Sequence, residues 1–173
     1  MKLSVVRLTS TVALLALTIW VGGLLALGAV VAPIVFASAP FQVAADAMTL
    51  VFSRFDRIAM GAAAVVIATE AVRARVTPRL RSGDVVRVLG SVLMAAMVAA
   101  EGVWVTPEIA RLHAEGAARG VGEAGVALNA AHGLAEYLGK GQVLLALVVI
   151  ALHVYTACSG DDAMAEAGSE EDD

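Results

Sequence analysis

The sequence has few charged residues and a single cysteine. Only 16% of its 173 residues are Asp, Glu, Lys or Arg, whereas 60% are hydrophobic and the mean hydropathy is +0.83. A soluble domain usually carries about 25% charged residues, so this chain has too little polar surface to cover a water-facing globule. The same composition excludes a disordered, collagenous or coiled-coil chain, and the lone Cys158 excludes an internal disulfide. The composition therefore predicts an integral membrane protein.

Basic residues are missing from the C-terminal end. Residues 1–158 hold all 12 Lys and Arg and 9 acidic residues, a net charge of +3, whereas residues 159–173 hold 7 acidic residues and no basic one. The overall charge of −4 therefore describes the tail and not the body of the protein. We predict a membrane domain over residues 1–158, followed by a disordered acidic tail over 159–173. We expect no nucleic-acid partner.

Four apolar segments are long enough to cross a bilayer. No charged residue occurs between Arg7 and Asp46, and the apolar run there exceeds the 7–15 residues of a signal-peptide core. About 20 apolar residues cross the hydrocarbon core, and backbone groups in lipid must satisfy their hydrogen bonds internally. We therefore expect an all-α membrane protein, a bundle of four transmembrane helices with amphipathic helical extensions outside the membrane. The predicted spans are about residues 10–36, 58–76, 85–105 and 139–157.

The distribution of basic residues predicts the orientation. Seven of them lie at the N-terminus and in the loop between the second and third spans, and five lie in the other two loops. Cytoplasmic loops carry an excess of Lys and Arg. We therefore expect both termini in the cytoplasm.

Two further segments have the pattern of short helices outside the spans. Apolar residues recur at i, i+3, i+4 and i+7 from Met48 to Phe55, which predicts an amphipathic helix at the membrane interface, leading into the second span. Thr106 and Pro107 have the pattern of an N-cap and a first-turn proline. We expect a short helix there that ends at Gly116.

Glu70 is an acidic residue inside the predicted second span. Arg73 follows three residues later, within pairing distance on a helix, so an interfacial ion pair is one interpretation. Intramembrane acids also mark functional sites, which is the other interpretation. The topology places His153 at a similar depth, where it could contact Glu70.

Glu101 lies near the outer end of the predicted third span. Trp104 and Glu108 follow at i+3 and i+7, so the three side chains would share one helical face. In one interpretation the carboxylate reaches the outer headgroups and Trp104 belongs to the aromatic belt. In the other, Glu101 relays protons or binds a cation.

Trp20 lies in the middle of the first span, far from either aromatic belt. Gly22 and Gly23 follow it at once. A large ring beside two residues without side chains predicts a notch in which a neighbouring helix packs closely.

His132 and Glu136 stand at i and i+4, a spacing compatible with two metal ligands on one helix face. They are also ordinary members of a polar stripe, and the chain lacks HExxH, CxxC, CxxCH and phosphate-loop motifs. No Ser or Cys lies in a nucleophile motif. We expect no metal, no cofactor and no enzymatic activity.

Several short motifs, taken in order, resemble those of one family. They are Trp20-Val21-Gly22-Gly23, Ala32-Pro33-x-x-Phe36, Leu50-x-Phe52-x-x-Phe55, Glu101-x-x-Trp104-Val105-x-Pro107 and His132-Gly133-Leu134. The chain resembles the transmembrane protein 205-like family, whose bacterial members were catalogued as domain of unknown function 4149. The resemblance implies a small four-span helical protein of an inner membrane, without an assigned activity. Family members carry Ser and Asn where this chain has Ala135 and Gly139.

Three function hypotheses follow. The first is a non-enzymatic membrane protein that acts through helix packing, with a second copy or another membrane protein as its partner. The second is a carrier of a small solute, proton or metal ion that uses Glu101 and His132 as titratable groups. The third is a haem or copper membrane protein, which the absorption spectrum of the purified protein would reveal.

Overall fold

The structure is a computed structural model that describes residues 2–77 and 82–169, and within these ranges the chain is helical except at residues 39–40, 77 and 115–121. Two short π-helical turns connect consecutive α-helices: Leu27–Val31 joins α1 to α2, and Glu101–Val105 joins α4 to α5. The chain therefore forms four long helical segments, two of which are composite. The α-helices are α1 (Lys2–Ala26), α2 (Ala32–Ser38), α3 (Phe41–Val76), α4 (Ser82–Ala100), α5 (Thr106–Ala114) and α6 (Gly122–Ser169).

Each π turn is followed by a proline in the first turn of the next helix, Pro33 in α2 and Pro107 in α5. A proline in a continuous helix removes one N–H donor, and its ring clashes with the carbonyl four residues earlier. The wider i→i+5 turn before each proline relieves this conflict, so both segments continue without a break. The prediction that Thr106 caps a separate helix is therefore wrong: Thr106 follows the π turn directly, and its side chain makes no cap.

The four long segments form a ring in which each packs against two neighbours. The segment α1 packs against α3 and α6, and α4 packs against the same two helices from the other side. Consecutive segments run in opposite directions because the connections between them are short. The main core lies between them and is built from Leu17, Trp20, Phe55, Val66, Met94, Val98 and Val149.

Three helical segments are long and apolar enough to cross a membrane: Ser4–Ser38, Ser82–Ala114 and Gly122–Thr156. They present large apolar side chains outward, such as Leu15, Ile19 and Leu147. The length and apolar surface of these three segments make the protein an all-helical integral membrane protein. α3 does not meet the same requirement, because only 12 residues separate Arg57 from Glu70. Twelve helical residues span about 18 Å, less than the roughly 30 Å of a hydrocarbon core.

The amphipathic segment from Met48 to Phe55 belongs to α3, which continues without interruption to Val76. Met48 and Phe55 are both buried against the bundle. The prediction that this segment is helical and continues into the predicted second span is confirmed, and its position at the membrane interface stays a prediction. The apolar periodicity marks a face that packs against protein.

The connection between α5 and α6 is built around glycines. Gly116, Gly120 and Gly122 have φ angles of +78°, +76° and +65°, a conformation that L side chains rarely adopt. Gly116 thus follows the end of α5 as the sequence predicts.

The helix α6 is assigned through Ser169. The disorder of residues 159–173 stays a prediction. The last four residues, 170–173, lie outside the described part of the chain.

Candidate functional site

A chain of buried hydrogen bonds crosses the bundle from α1 to α4. The indole Nε1 of Trp20 donates to Oε1 of Gln142 at 2.9 Å, and Nε2 of Gln142 donates to Oε2 of Glu101 at 2.7 Å. All three side chains are buried. The amide of Gln142 therefore satisfies the polar groups of both residues that the sequence analysis identifies separately. Gln142 was missed there, although a glutamine within an apolar span was a usable signal.

The two glycines after Trp20 have different surroundings. The ring of Phe55 lies directly against Gly23, in the space that a Cβ atom would need. Gly22 has nothing within 4 Å of a Cβ position and faces away from the bundle. The predicted notch therefore holds a side chain of α3 at Gly23, and Gly22 takes no part in it.

Glu101 and Trp104 do not share a face. Glu101 is 8% exposed and points into the bundle, whereas Trp104 is 70% exposed. The prediction assumed α-helical spacing, but residues 101–105 form the π turn. Because a π turn holds more residues than an α turn, the i+3 position rotates outward.

Asp56 of α3 reaches the same region of the bundle. The Thr106 hydroxyl donates to Oδ2 of Asp56 at 2.7 Å, and both side chains are buried. The Cβ of Asp56 lies 3.3 Å from the position of a Cβ built on Gly102, so Asp56 packs against the residue that follows Glu101. Among the described residues, neither Asp56 nor Glu101 forms an ion pair with a basic side chain. Sequence reasoning missed Asp56 because it was placed on an exposed interfacial helix.

A cavity of about 1080 Å³ opens between α1, α2, α3, α5 and α6. It lies at the end of the bundle that holds the glycine-rich connection, which we call the Gly120 end. Most of the side chains that line the cavity are apolar and nine are polar, a combination typical of small-molecule sites. The polar lining residues are Gln42, Thr49, Glu101, Thr106, His113, Arg119, His132, Glu136 and Lys140.

His132 lies on the cavity wall facing His113 of α5, and the ring centroids are 5.6 Å apart. Nδ1 of His113 lies 3.2 Å from the Thr49 hydroxyl, and Glu136 pairs with Lys140 at 2.6 Å. Within the part of the chain that the structure describes, no three His, Cys, Asp or Glu side chains converge on a common point. His132 and Glu136 therefore have different partners: His132 contacts His113, and Glu136 forms an ion pair with Lys140.

Glu70 belongs to a second polar cluster at the opposite end of the bundle, the Arg87 end. Arg87 forms a bidentate ion pair with Glu70, at 2.8 and 3.0 Å, and also reaches Asp84 at 2.7 Å. Glu70 and Arg87 are 4% and 2% exposed. The predicted Glu70–Arg73 pair is therefore wrong, because Arg73 turns toward α1 and donates to the Ser10 hydroxyl.

His153 of α6 completes this cluster. Its Nε2 lies 3.2 Å from Oε1 of Glu70, as the depth argument allowed. In this orientation neither ring nitrogen of His153 forms a hydrogen bond within the described residues. We call Ser10, Glu70, Arg73, Asp84, Arg87 and His153 the Glu70 cluster.

Comparison with known families gives one result. Residues 15–118 match the model described as Domain of unknown function (DUF4149), which is more than half of the chain. The chain belongs to the DUF4149 family. The match runs from the middle of α1 through α5, so Trp20, Glu70 and Glu101 lie inside it, whereas His132 and Gln142 on α6 lie outside. Neither the curated proteins nor the solved structures contain a match to this chain.

Proposed function

We propose that this DUF4149 protein is a non-enzymatic membrane protein that binds a small hydrophobic molecule in the cavity at the Gly120 end. The observation that supports this proposal is the cavity itself. Ligand sites typically measure about 300–1,000 Å³ and combine apolar walls with a few polar groups, and this cavity has both properties. Packing alone would leave so large a space without contacts, at a cost in stability.

We further propose that α3 crosses the membrane as the fourth span, over residues 58–76. Of its ionisable residues, Asp56, Glu70 and Arg73 are buried against other helices, so they would not meet lipid, and the exposed Arg75 lies in the last turn of the helix. With four spans and the basic cluster inside, both termini would be cytoplasmic. A bacterial inner membrane, a relation to the transmembrane protein 205-like family, and association with a second copy or another membrane protein belong to the same proposal.

A carrier is the second candidate function. It is favoured by one observation: Glu101 and His132, on different helices, both line the cavity. Two titratable groups on one cavity are the arrangement a proton-coupled carrier requires. A pH-gradient or cation-flux assay in proteoliposomes separates the two functions, because only the carrier gives a flux in the wild type that Glu101→Gln abolishes.

The experiment for the binding function is photolabelling of the purified protein with a neutral long-chain alcohol that carries a diazirine, followed by peptide mapping. We expect labels on the cavity-lining stretches of α3, α5 and α6. Gly28 lines the cavity and has nothing within 4 Å of a Cβ position. Gly28→Leu should therefore occupy part of the cavity without a clash and reduce this labelling.

Gly22→Leu is the matched control. Gly22 lies on the same helical segment, and its Cβ position is equally open, but it does not line the cavity. Labelling should be unchanged in this variant. Labels spread evenly over outward-facing residues, with no effect of Gly28→Leu, would contradict the binding function.

A further inference from the structure

Resting on the proposed binding function, we infer that the cavity receives a lipophilic cation whose charged group lies against the carboxylate of Glu101.

Glu101 lies at the deep end of the cavity. Each long helical segment contributes a run of lining residues that starts at the Gly120 end and stops farther inside the bundle. The innermost lining residues on the four segments are Leu24, Phe52, Glu101 and Leu144. Three of these are apolar, so among the described residues Glu101 is the one charged side chain that lines the cavity at this depth.

The carboxylate of Glu101 has only a neutral partner. Gln142 donates to Oε2, and among the described residues no basic side chain pairs with Glu101. The neighbouring carboxylate of Asp56 adds charge of the same sign. A buried carboxylate without a counter-ion is unfavourable in an apolar site, and a ligand that carries a positive charge would offset this cost.

The basic groups of the cavity do not compensate Glu101. The ammonium of Lys140 pairs with Glu136 at 2.6 Å, and that pair is exposed. Arg119 lies in the glycine-rich connection and is exposed, where water solvates it. An anionic ligand would therefore have to place its apolar part against the buried carboxylate.

Aromatic rings line the wall above Glu101. Phe36, Phe41 and Phe52 all face the cavity, and the rings of Phe36 and Phe41 lie 5.7 Å apart. Aromatic faces attract organic cations as well as apolar groups. The walls and the deep carboxylate together match a hydrophobic molecule with one delocalised or quaternary positive charge.

The test measures competition of tetraphenylphosphonium against the neutral diazirine alcohol, with tetraphenylborate as a probe of the same shape and opposite charge. We expect tetraphenylphosphonium to displace the alcohol from the wild type, and tetraphenylborate to do so far less well. In Glu101→Gln, which keeps the hydrogen bond to Gln142, the affinity for tetraphenylphosphonium should fall roughly tenfold or more.

Glu108→Gln is the matched control, since it removes the same charge from the same helical segment at a residue that does not line the cavity. Its affinity for tetraphenylphosphonium should equal that of the wild type. Equal competition by the two ions in the wild type would overturn the inference, whether or not Glu101→Gln folds. Labelling by the alcohol would then still support the binding function, whereas absence of cavity labelling would remove both.

Discussion

The ion pair of Glu70 and Arg87 connects α3 to α4 inside the bundle, where water does not reach either side chain. The two charges are tolerated in the interior only as a pair, because either one alone would be an uncompensated ion in apolar surroundings. Asp84 and His153 bring α4 and α6 into the same cluster, and Arg73 brings α1 through Ser10. Side chains of four helices, α1, α3, α4 and α6, therefore meet at the Arg87 end.

Arg87→Ala should destabilise the protein strongly. Removing one partner of a buried ion pair costs about 3–5 kcal/mol, because the other charge stays buried. The free energy of unfolding, measured in detergent by titration with denaturant, should fall by this amount. Replacing both residues, as in Glu70→Leu with Arg87→Leu, should cost less than Arg87→Ala alone.

Arg111→Ala is the control for this prediction. Arg111 also forms two ion pairs, with Glu108 and Glu115, but all three side chains are exposed. Exposed pairs contribute little, so this variant should unfold close to the wild type. If Arg111→Ala and Arg87→Ala lowered the free energy of unfolding by similar amounts, burial of the Glu70 cluster would not strengthen the contribution of its ion pairs to stability.

At the residue scale, the sequence predicted the important side chains better than their partners. Trp20 stands out because it lies away from either aromatic belt, and Glu70 and Glu101 stand out because charged residues are costly inside a membrane. Their partners Gln142 and Arg87 lie 122 and 17 residues away along the chain. Helical spacing describes neighbours on one helix, so it assigned Glu70 to Arg73 and could not supply partners on other helices.

At the scale of the element, the π turn at residues 101–105 determines which side chains face the bundle. It directs Glu101 inward and Trp104 outward within one short stretch. The sequence analysis could not identify this turn, because apolar periodicity does not distinguish a π turn from an α turn over five residues. The proline that follows was the available signal.

The two tryptophans should respond differently to lipids with brominated chains, which quench tryptophan in direct contact. Trp104 is 70% exposed and Trp20 is 1% exposed. In bilayers of brominated lipid, Trp20→Phe, which leaves Trp104, should lose most of its fluorescence. Trp104→Phe should keep most of it. Equal quenching of both variants would contradict the outward rotation of Trp104.

Gly23→Leu should destabilise the contact between α1 and α3. A side chain at this position overlaps the ring of Phe55, and overpacking of a filled core costs about 1–3 kcal/mol. Gly22→Leu, whose side chain meets no neighbour, should unfold like the wild type in the same detergent titration. Equal stabilities of these two variants would show that Phe55 moves aside at no cost.

For the whole molecule, composition alone was sufficient to predict an all-helical membrane protein, since so few charges cannot cover a water-soluble surface. The number of spans needed more. The three apolar segments are evident from hydropathy, whereas α3 carries several charges, of which only Asp56, Glu70 and Arg73 are buried in the bundle. The cavity could not be predicted, because it depends on how far apart the helices lie at the Gly120 end.

Reporter fusions test the proposed topology. Fusions after Lys2, after Gly83 and at the C-terminus should report a cytoplasmic location, and a fusion at Gly120 should report an external one. The reason is the cluster of basic residues between the second and third spans, which favours the cytoplasmic side. An external signal at Gly83 would reverse the orientation of the whole protein.

The π turn between α4 and α5 has a consequence for chain length. Its i→i+5 hydrogen bond encloses one residue more than an α turn does, so the two helices are out of phase by one position. Deleting Val103 would remove the extra residue and rotate α5 by about 100° relative to α4. Thr106 would then lose its hydrogen bond to Asp56, and Ile109 would no longer line the cavity. The shape of the cavity therefore depends on the count of residues in this segment as much as on their identity.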